Sequence, residues 1–238
     1  MKYIYGPVKS RRLGNSLGIT TVPYKVCNFD CVYCQLKKTT EKTAKRKNYV
    51  DEKEIAEELA AFLKNKPGPL KIDYITFSGS GEPTLHKSIG GLIRTVKKMT
   101  SIPVVLITNS STLVEPKIFK DFLSLDLIIP SLDAVTQDVF EKIDRPVNGI
   151  RIEDIIRGLV KFRREFKGRM WLEIMLVKGL NDSPDYLAKM KKVTDLIKPD
   201  RIQLNSPVRP PSENWVKPVS RSALKKAREI FGGHCDVV

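Results

Sequence analysis

The chain has few of the residues that folds commonly use as metal anchors or covalent staples. It contains two histidines and four cysteines in 238 residues. The histidines, His86 and His234, lie far apart, which leaves little for a zinc site built on cysteine and histidine. Three of the four cysteines crowd into one stretch, so they cannot form a disulfide scaffold, and the composition points to a reducing compartment. No apolar run approaches the roughly 20 residues needed to span a bilayer. The first residues, Met1-Lys2-Tyr3-Ile4-Tyr5-Gly6-Pro7, lack the apolar centre of a signal peptide. The expectation is a cytoplasmic protein with no membrane partner. Acidic residues are outnumbered 27 to 42, for a net charge of +15. That excess favours polyanionic partners, nucleic acid first, and a lysine-rich solvated surface is the plainer explanation. Aromatics make up 8% of the chain and no nucleic-acid-binding motif interleaves them with the basic residues.

What is present is the stretch Cys27-Asn28-Phe29-Asp30-Cys31-Val32-Tyr33-Cys34, with spacing C-x3-C-x2-C. Three sulfurs this close can converge on one metal centre. A four-iron, four-sulfur cluster normally takes four cysteines. Three would leave one iron open to a substrate or cofactor, as an open zinc site differs from a closed one. The competing readings are half of a zinc site with Cys235 as a further ligand, or purely structural cysteines.

Around this stretch the chain alternates strand and helix patterns. Leu17–Val22 reads as a short strand, and Lys37–Lys47 as a basic polar loop. Asp51 and Glu54 form a capping-box pattern before an apolar face of Ile55, Leu59, Phe62 and Leu63, and Pro67-Gly68-Pro69 stops that helix. Further strands are expected at 72–77, 103–108, 127–131, 171–177 and 201–205, with helices at 88–99, 116–123, 151–166, 184–197 and 222–231. About six strands in βα alternation predict a parallel sheet with helices outside, either a barrel or a doubly wound sheet. Residues 207–218 form a proline-rich loop, and no domain linker or repeat appears. Functional residues should then lie at the C-terminal ends of the strands.

Those ends carry glycine and polar residues: Ser78-Gly79-Ser80-Gly81-Glu82 after the 72–77 strand, Asn109-Ser110 after Thr108, Ser131-Leu132-Asp133, Lys178-Gly179-Leu180-Asn181-Asp182, and Asn205. Glycines let backbone groups approach a ligand closely. Taken singly, each is an ordinary turn.

The cysteine spacing, with Tyr33 before the last cysteine, resembles that of the radical S-adenosylmethionine (SAM) enzymes. The strand-end segments resemble that superfamily's Gly-Gly-Glu, Thr-Asn-Gly and Ser-Leu-Asp motifs in the same order, with Ser80 and Ser110 standing where glycine is usual. Tyr5–Gly14, Ser16–Ile19, Val22–Cys27 and Val208–Pro211 resemble a subgroup of small Fe–S oxidoreductases related to the wybutosine-synthesis enzymes that modify tRNA. The resemblance covers most of the chain. It implies one domain over residues 1–238, a partial (βα)6 TIM-like barrel with the cluster loop at 27–34 and a C-terminal loop and helix at 207–238. It also implies that Cys27, Cys31 and Cys34 hold a 4Fe–4S cluster. Tyr33, Ser80, Gly81, Glu82, Asn109, Ser131, Asp133 and Asn205 would bind SAM. Reductive cleavage of SAM would give a 5′-deoxyadenosyl radical, with flavodoxin or ferredoxin as reductant. The substrate is left unidentified: RNA, tRNA in particular, is the most economical candidate on charge, and a peptide or protein and a small metabolite are the alternatives. A non-catalytic Fe–S or zinc nucleic-acid-binding protein, or an electron carrier, are the rival functions. Glu173, Arg209 and the Arg11-Arg12 pair are the candidate substrate contacts.

Overall fold

The computed structural model describes residues 1–65 and 71–238; the proline stop at 67–69 lies outside them. In chain order the elements are β1 (Ile4–Ser10), β2 (Gly14–Ile19), β3 (Val26–Cys27), β4 (Glu41–Lys42), α1 (Glu52–Asn65), β5 (Tyr74–Phe77), α2 (Ile89–Met99), β6 (Val104–Thr108) and α3 (Pro116–Phe119). Then follow β7 (Leu127–Pro130), α4 (Gln137–Ile143), α5 (Ile152–Glu165), β8 (Arg169–Met175), α6 (Pro184–Ile197), β9 (Arg201–Asn205), α7 (Arg221–Phe231) and β10 (Cys235–Val237).

The main sheet runs β1-β2-β5-β6-β7-β8-β9-β10, and every pairing from β2 to β10 is parallel. The six strands β2 and β5 to β9 are the βα frame of a partial barrel. The sequence pattern missed its two edges. The antiparallel β1 is irregular, with a register shift between Tyr5 and Val8 that breaks the period-two pattern. At the other edge Cys235 is buried in β10, a strand absent from the expected set. The stretch 116–123 holds one α-turn followed by a 3-10 turn at Lys120–Phe122. Within the expected basic loop, Glu41 and Lys42 pair with Val26 and Cys27.

Strand alternation sorts the core into two faces. Leu17, Ile19, Ile75, Phe77, Leu106, Ile128, Leu172, Ile174 and Leu204 belong to the large core packed against the helices. Each buried side chain of this size contributes about 1.5–3 kcal/mol. On the inner face Val105, Leu127, Ile129 and Trp171 form a separate cluster capped by Leu13 from the β1–β2 turn. This plug closes one end of the barrel. Beside this plug the interior also holds a polar contact, with the Ser16 and Thr76 hydroxyls 2.7 Å apart.

The proline-rich segment is a strap laid along the cysteine loop. The Glu213 amide donates to Val32 O (3.1 Å), Lys37 Nζ donates to Pro211 O (3.0 Å), and Arg209 donates to Gln35. An Arg145–Glu213 ion pair closes the contact.

Candidate active site

The cysteine loop is shaped by backbone bonds at both ends of the motif. Cys34 N donates to Cys31 O (3.1 Å), Val32 N to Ile143 O (2.9 Å), and Thr43 N to Cys27 O (3.0 Å). All four cysteines are free thiols, and the three of the loop are partly exposed while Cys235 is buried. Donors face the loop sulfurs: Phe29 N at 3.4 Å and Asn109 Nδ2 at 3.8 Å from Cys27 Sγ, and Lys25 Nζ at 3.2 Å from Cys34 Sγ. N–H groups and a buried ammonium aimed at sulfur suit thiolates, the form that binds iron. Burial pushes the Cys27 thiol up to about 12 and holds Cys31 well above the usual thiol range. A coordinated metal deprotonates such a thiol outright. Among the described residues no three His, Cys, Asp or Glu side chains are placed to hold a single ion. Three thiols of one loop, faced by N–H and ammonium donors, are the kind of donor set that suits a multi-iron cluster.

The strand-end segments close round this loop. Gly81 packs where a Cβ would collide with the Val26 carbonyl oxygen, and the Ser80 carbonyl accepts from Lys25 N. Only glycine allows that approach at position 81. Glu82 is buried and fully engaged. Its Oε1 accepts from Thr84 N (3.1 Å), Thr84 Oγ1 (2.5 Å) and Thr108 Oγ1 (2.7 Å), and its Oε2 from Asn109 N (2.8 Å). The carboxylate thereby ties the β5 loop to the end of β6. Burial raises its pKa against these bonds. Asn109 Nδ2 also donates to Asn28 Oδ1 (2.6 Å), so the β6 loop holds the cysteine loop directly. Ser110 adopts φ 72°, in the left-handed region where glycine is easiest, and its Oγ donates to Ser131 O (2.7 Å). That hydroxyl bond helps to hold a non-glycine residue in this conformation.

Tyr33 donates its hydroxyl to Asp133, whose Oδ1 accepts from Met175 N (2.7 Å). Burial pushes Asp133 up to about 6. Burial and the neighbouring Asp133 raise Asp144 well above the carboxylate range, and Asp144 Oδ1 accepts from Cys31 Sγ at 3.3 Å. A small cleft is lined by Tyr33, Asn109, Ser131, Asp133 and Asp144, among others. The structure thus brings four of the expected cofactor residues to one cleft, with Ser80, Gly81 and Glu82 behind the cysteine loop.

Asn205 lies elsewhere. Its Nδ2 donates to Glu173 Oε1 (3.2 Å), and its Oδ1 accepts from Ser206 N (2.9 Å) and Arg11 Nη2 (3.4 Å). Of the expected substrate contacts, Arg12 pairs with Glu173 inside the barrel, while Arg209 sits on the strap. Sequence reasoning missed Lys25, Asn28 and Asp144. Lys25 alone left a signal, as a cation two residues before the first cysteine.

The family model described as the radical SAM superfamily matches residues 21–190, and the chain belongs to that superfamily. It is an enzyme of that type, with a 4Fe–4S cluster and SAM as cofactors. Within it, the chain belongs with the UPF0026 proteins. It is 35% identical over 234 residues to one from Methanocaldococcus jannaschii, covering 97% of this chain and 71% of that protein. A protein of Brachyspira hyodysenteriae named GTPase Obg is 44% identical over 237 residues, 99% of this chain. The chain spans only 34% of that relative's length. The structure of TYW1 with a lysine–pyruvate adduct bound superposes with a TM-score of 0.64 at 19% identity, over 91% of this chain and 72% of that one. The shared fold is the partial barrel. Among the described residues no helix is long and apolar enough to cross a membrane.

Proposed function

We propose that Cys27, Cys31 and Cys34 each hold one iron of the cluster and that the cleft beside them takes SAM, so that the enzyme removes a hydrogen atom from its substrate. A 4Fe–4S cluster held by these three cysteines would supply the one electron that cleaves SAM reductively to methionine and a 5′-deoxyadenosyl radical. The chain's own residues bind, orient and shield. Lys25 offsets negative charge at Cys34. Glu82 holds the Thr108–Asn109 turn in place, and Tyr33 and Asp133 fix each other across the cleft. The observation that carries this reading is the set of N–H and ammonium donors aimed at the loop sulfurs.

For the substrate we propose RNA, on the +15 charge and on Lys38, Lys42 and Lys45, which are exposed just after the cysteine loop. Three other cations of that segment do structural work. Arg46 donates to Thr84 O and His86 O, Lys47 pairs with Glu41, and Lys37 reaches the strap. The reductant is an electron-transfer protein of the flavodoxin or ferredoxin kind, since the enzyme class needs one.

The cluster assignment is tested by iron and sulfide content after anaerobic reconstitution. Cys31→Ala should lose the cluster and Cys235→Ala should keep it. Iron retained in the first, or lost in the second, contradicts the assignment.

A further inference from the structure

The barrel interior holds a second polar constellation, which the cofactor site leaves unused. On β9, Ile202 and Leu204 belong to the helix-facing core, so Gln203 and Asn205 face the interior. On β8, Leu172 and Ile174 face the helices likewise, so Glu173 points inward, in register with Gln203. Arg12 enters from the β1–β2 turn and pairs with Glu173, which also accepts from Asn205. The pair is largely buried, at 20% and 11% exposure. A buried ion pair adds little to stability compared with apolar packing of the same volume. Apolar packing was available here, because the next layer is Trp171, Leu127 and Ile129. Gln203 Oε1 is buried and accepts no hydrogen bond. An orphaned buried amide oxygen is costly unless something donates to it. The backbone of Glu173 forms a parallel β-bridge with Ser131, which lines the cofactor cleft, so this tier adjoins the proposed radical site.

We infer that this tier is the substrate-recognition site, with Gln203 as its specificity-determining residue, and that it takes a neutral amide-type group, an N–H beside a carbonyl. The N–H donates to Gln203 Oε1. The carbonyl accepts from Arg12, which gives only Nη1 to Glu173. The Arg12–Glu173 pair is neutral overall and favours a group without net charge. A carboxylate or a phosphodiester has no hydrogen to offer Gln203 and would face Glu173. The inference rests on the proposed radical reaction for its consequence, but not for the binding itself.

The test therefore uses no cluster and no SAM. The 15N-labelled protein is titrated with formamide, and with formate as the counterpart that can only accept. The readout is the Gln203 side-chain amide resonance, assigned by its absence in Gln203→Leu. Formamide should shift that resonance saturably and bind at least tenfold more weakly to Gln203→Leu; formate should leave it in place. If the leucine variant does not fold, Gln203→Met replaces it. No shift with formamide, an equal shift with formate, or equal affinity in parent and variant would overturn the inference. N-methylacetamide and uracil then distinguish a peptide amide from a nucleobase lactam as the source of the group. Because 5′-deoxyadenosine formation by the parent tests the radical reading separately, the two can fail independently.

Discussion

Lys25 Nζ lies 3.2 Å from Cys34 Sγ, and Lys25 is itself buried. A buried ammonium beside a cluster ligand stabilises the more negative, reduced state of the cluster. Lys25→Met should lower the midpoint potential by tens of millivolts while iron content stays at the parental value. Redox titration followed by electron paramagnetic resonance measures it. An unchanged or higher potential would remove Lys25 from the electrostatics of the cluster.

Glu82 accepts four hydrogen bonds from three residues, so its loss strips partners from Thr84, Thr108 and Asn109 together. Each buried donor left unmet costs about 1–3 kcal/mol. Glu82→Ala should lower the melting temperature clearly and weaken SAM binding by about tenfold to a hundredfold. Calorimetry on the reconstituted protein reads both. A variant that melts with the parent and binds SAM equally would contradict the role given to Glu82.

Burial holds His86 below its ordinary pKa of 6.5, and its Nδ1 accepts from Tyr49 N at 3.2 Å. The unfolded chain takes up this proton near the ordinary value while the folded chain resists it. The stability that a neutral His86 gives is thus fully present above 6.5. It is lost as pH falls from there toward the folded pKa, by at most about 1.4 kcal/mol per pH unit. His86→Asn keeps an acceptor for Tyr49 N and should flatten that acid slope in urea-unfolding series. An identical slope in both proteins would show that His86 does not titrate on unfolding.

If RNA is the substrate, exposed Lys38, Lys42 and Lys45 contact its phosphates. Neutralising all three should weaken tRNA binding and flatten the log–log salt dependence by about 2 units, near 0.7 for each contact. Fluorescence anisotropy at several salt concentrations gives the slope. An unaltered slope, or no binding by the parent at low salt, points to a peptide or small molecule instead.

The sequence carried the parts of this structure that repeat or that are spaced tightly. Strand and helix periodicity placed β9 and α6 at their observed limits, since each buries one regular apolar face. The cysteine loop and the Ser80–Glu82 turn were legible because close backbone approach demands glycine at 81. The edges were not. β1 breaks its alternation at a register shift, and β10 is three residues long behind a Gly-Gly turn. Roles set by tertiary partners were hidden as well. Asn205 sits where a cofactor contact was expected, but its amide is committed to Glu173 and Arg11. Arg46, one cation of the basic loop, is spent on backbone carbonyls. Gln203 looks like any strand glutamine until its neighbours bury it.

The central claim is that three cysteines of one loop hold a cluster that drives radical cleavage of SAM in the adjoining cleft. The most direct measurement is 5′-deoxyadenosine formation by the anaerobically reconstituted protein with dithionite and SAM, quantified by chromatography and mass spectrometry. The parent and Cys235→Ala should form it, and Cys27→Ala, Cys31→Ala and Cys34→Ala should not. No product from a parent that carries its full iron and sulfide, or product from any of the three loop variants, would contradict the account.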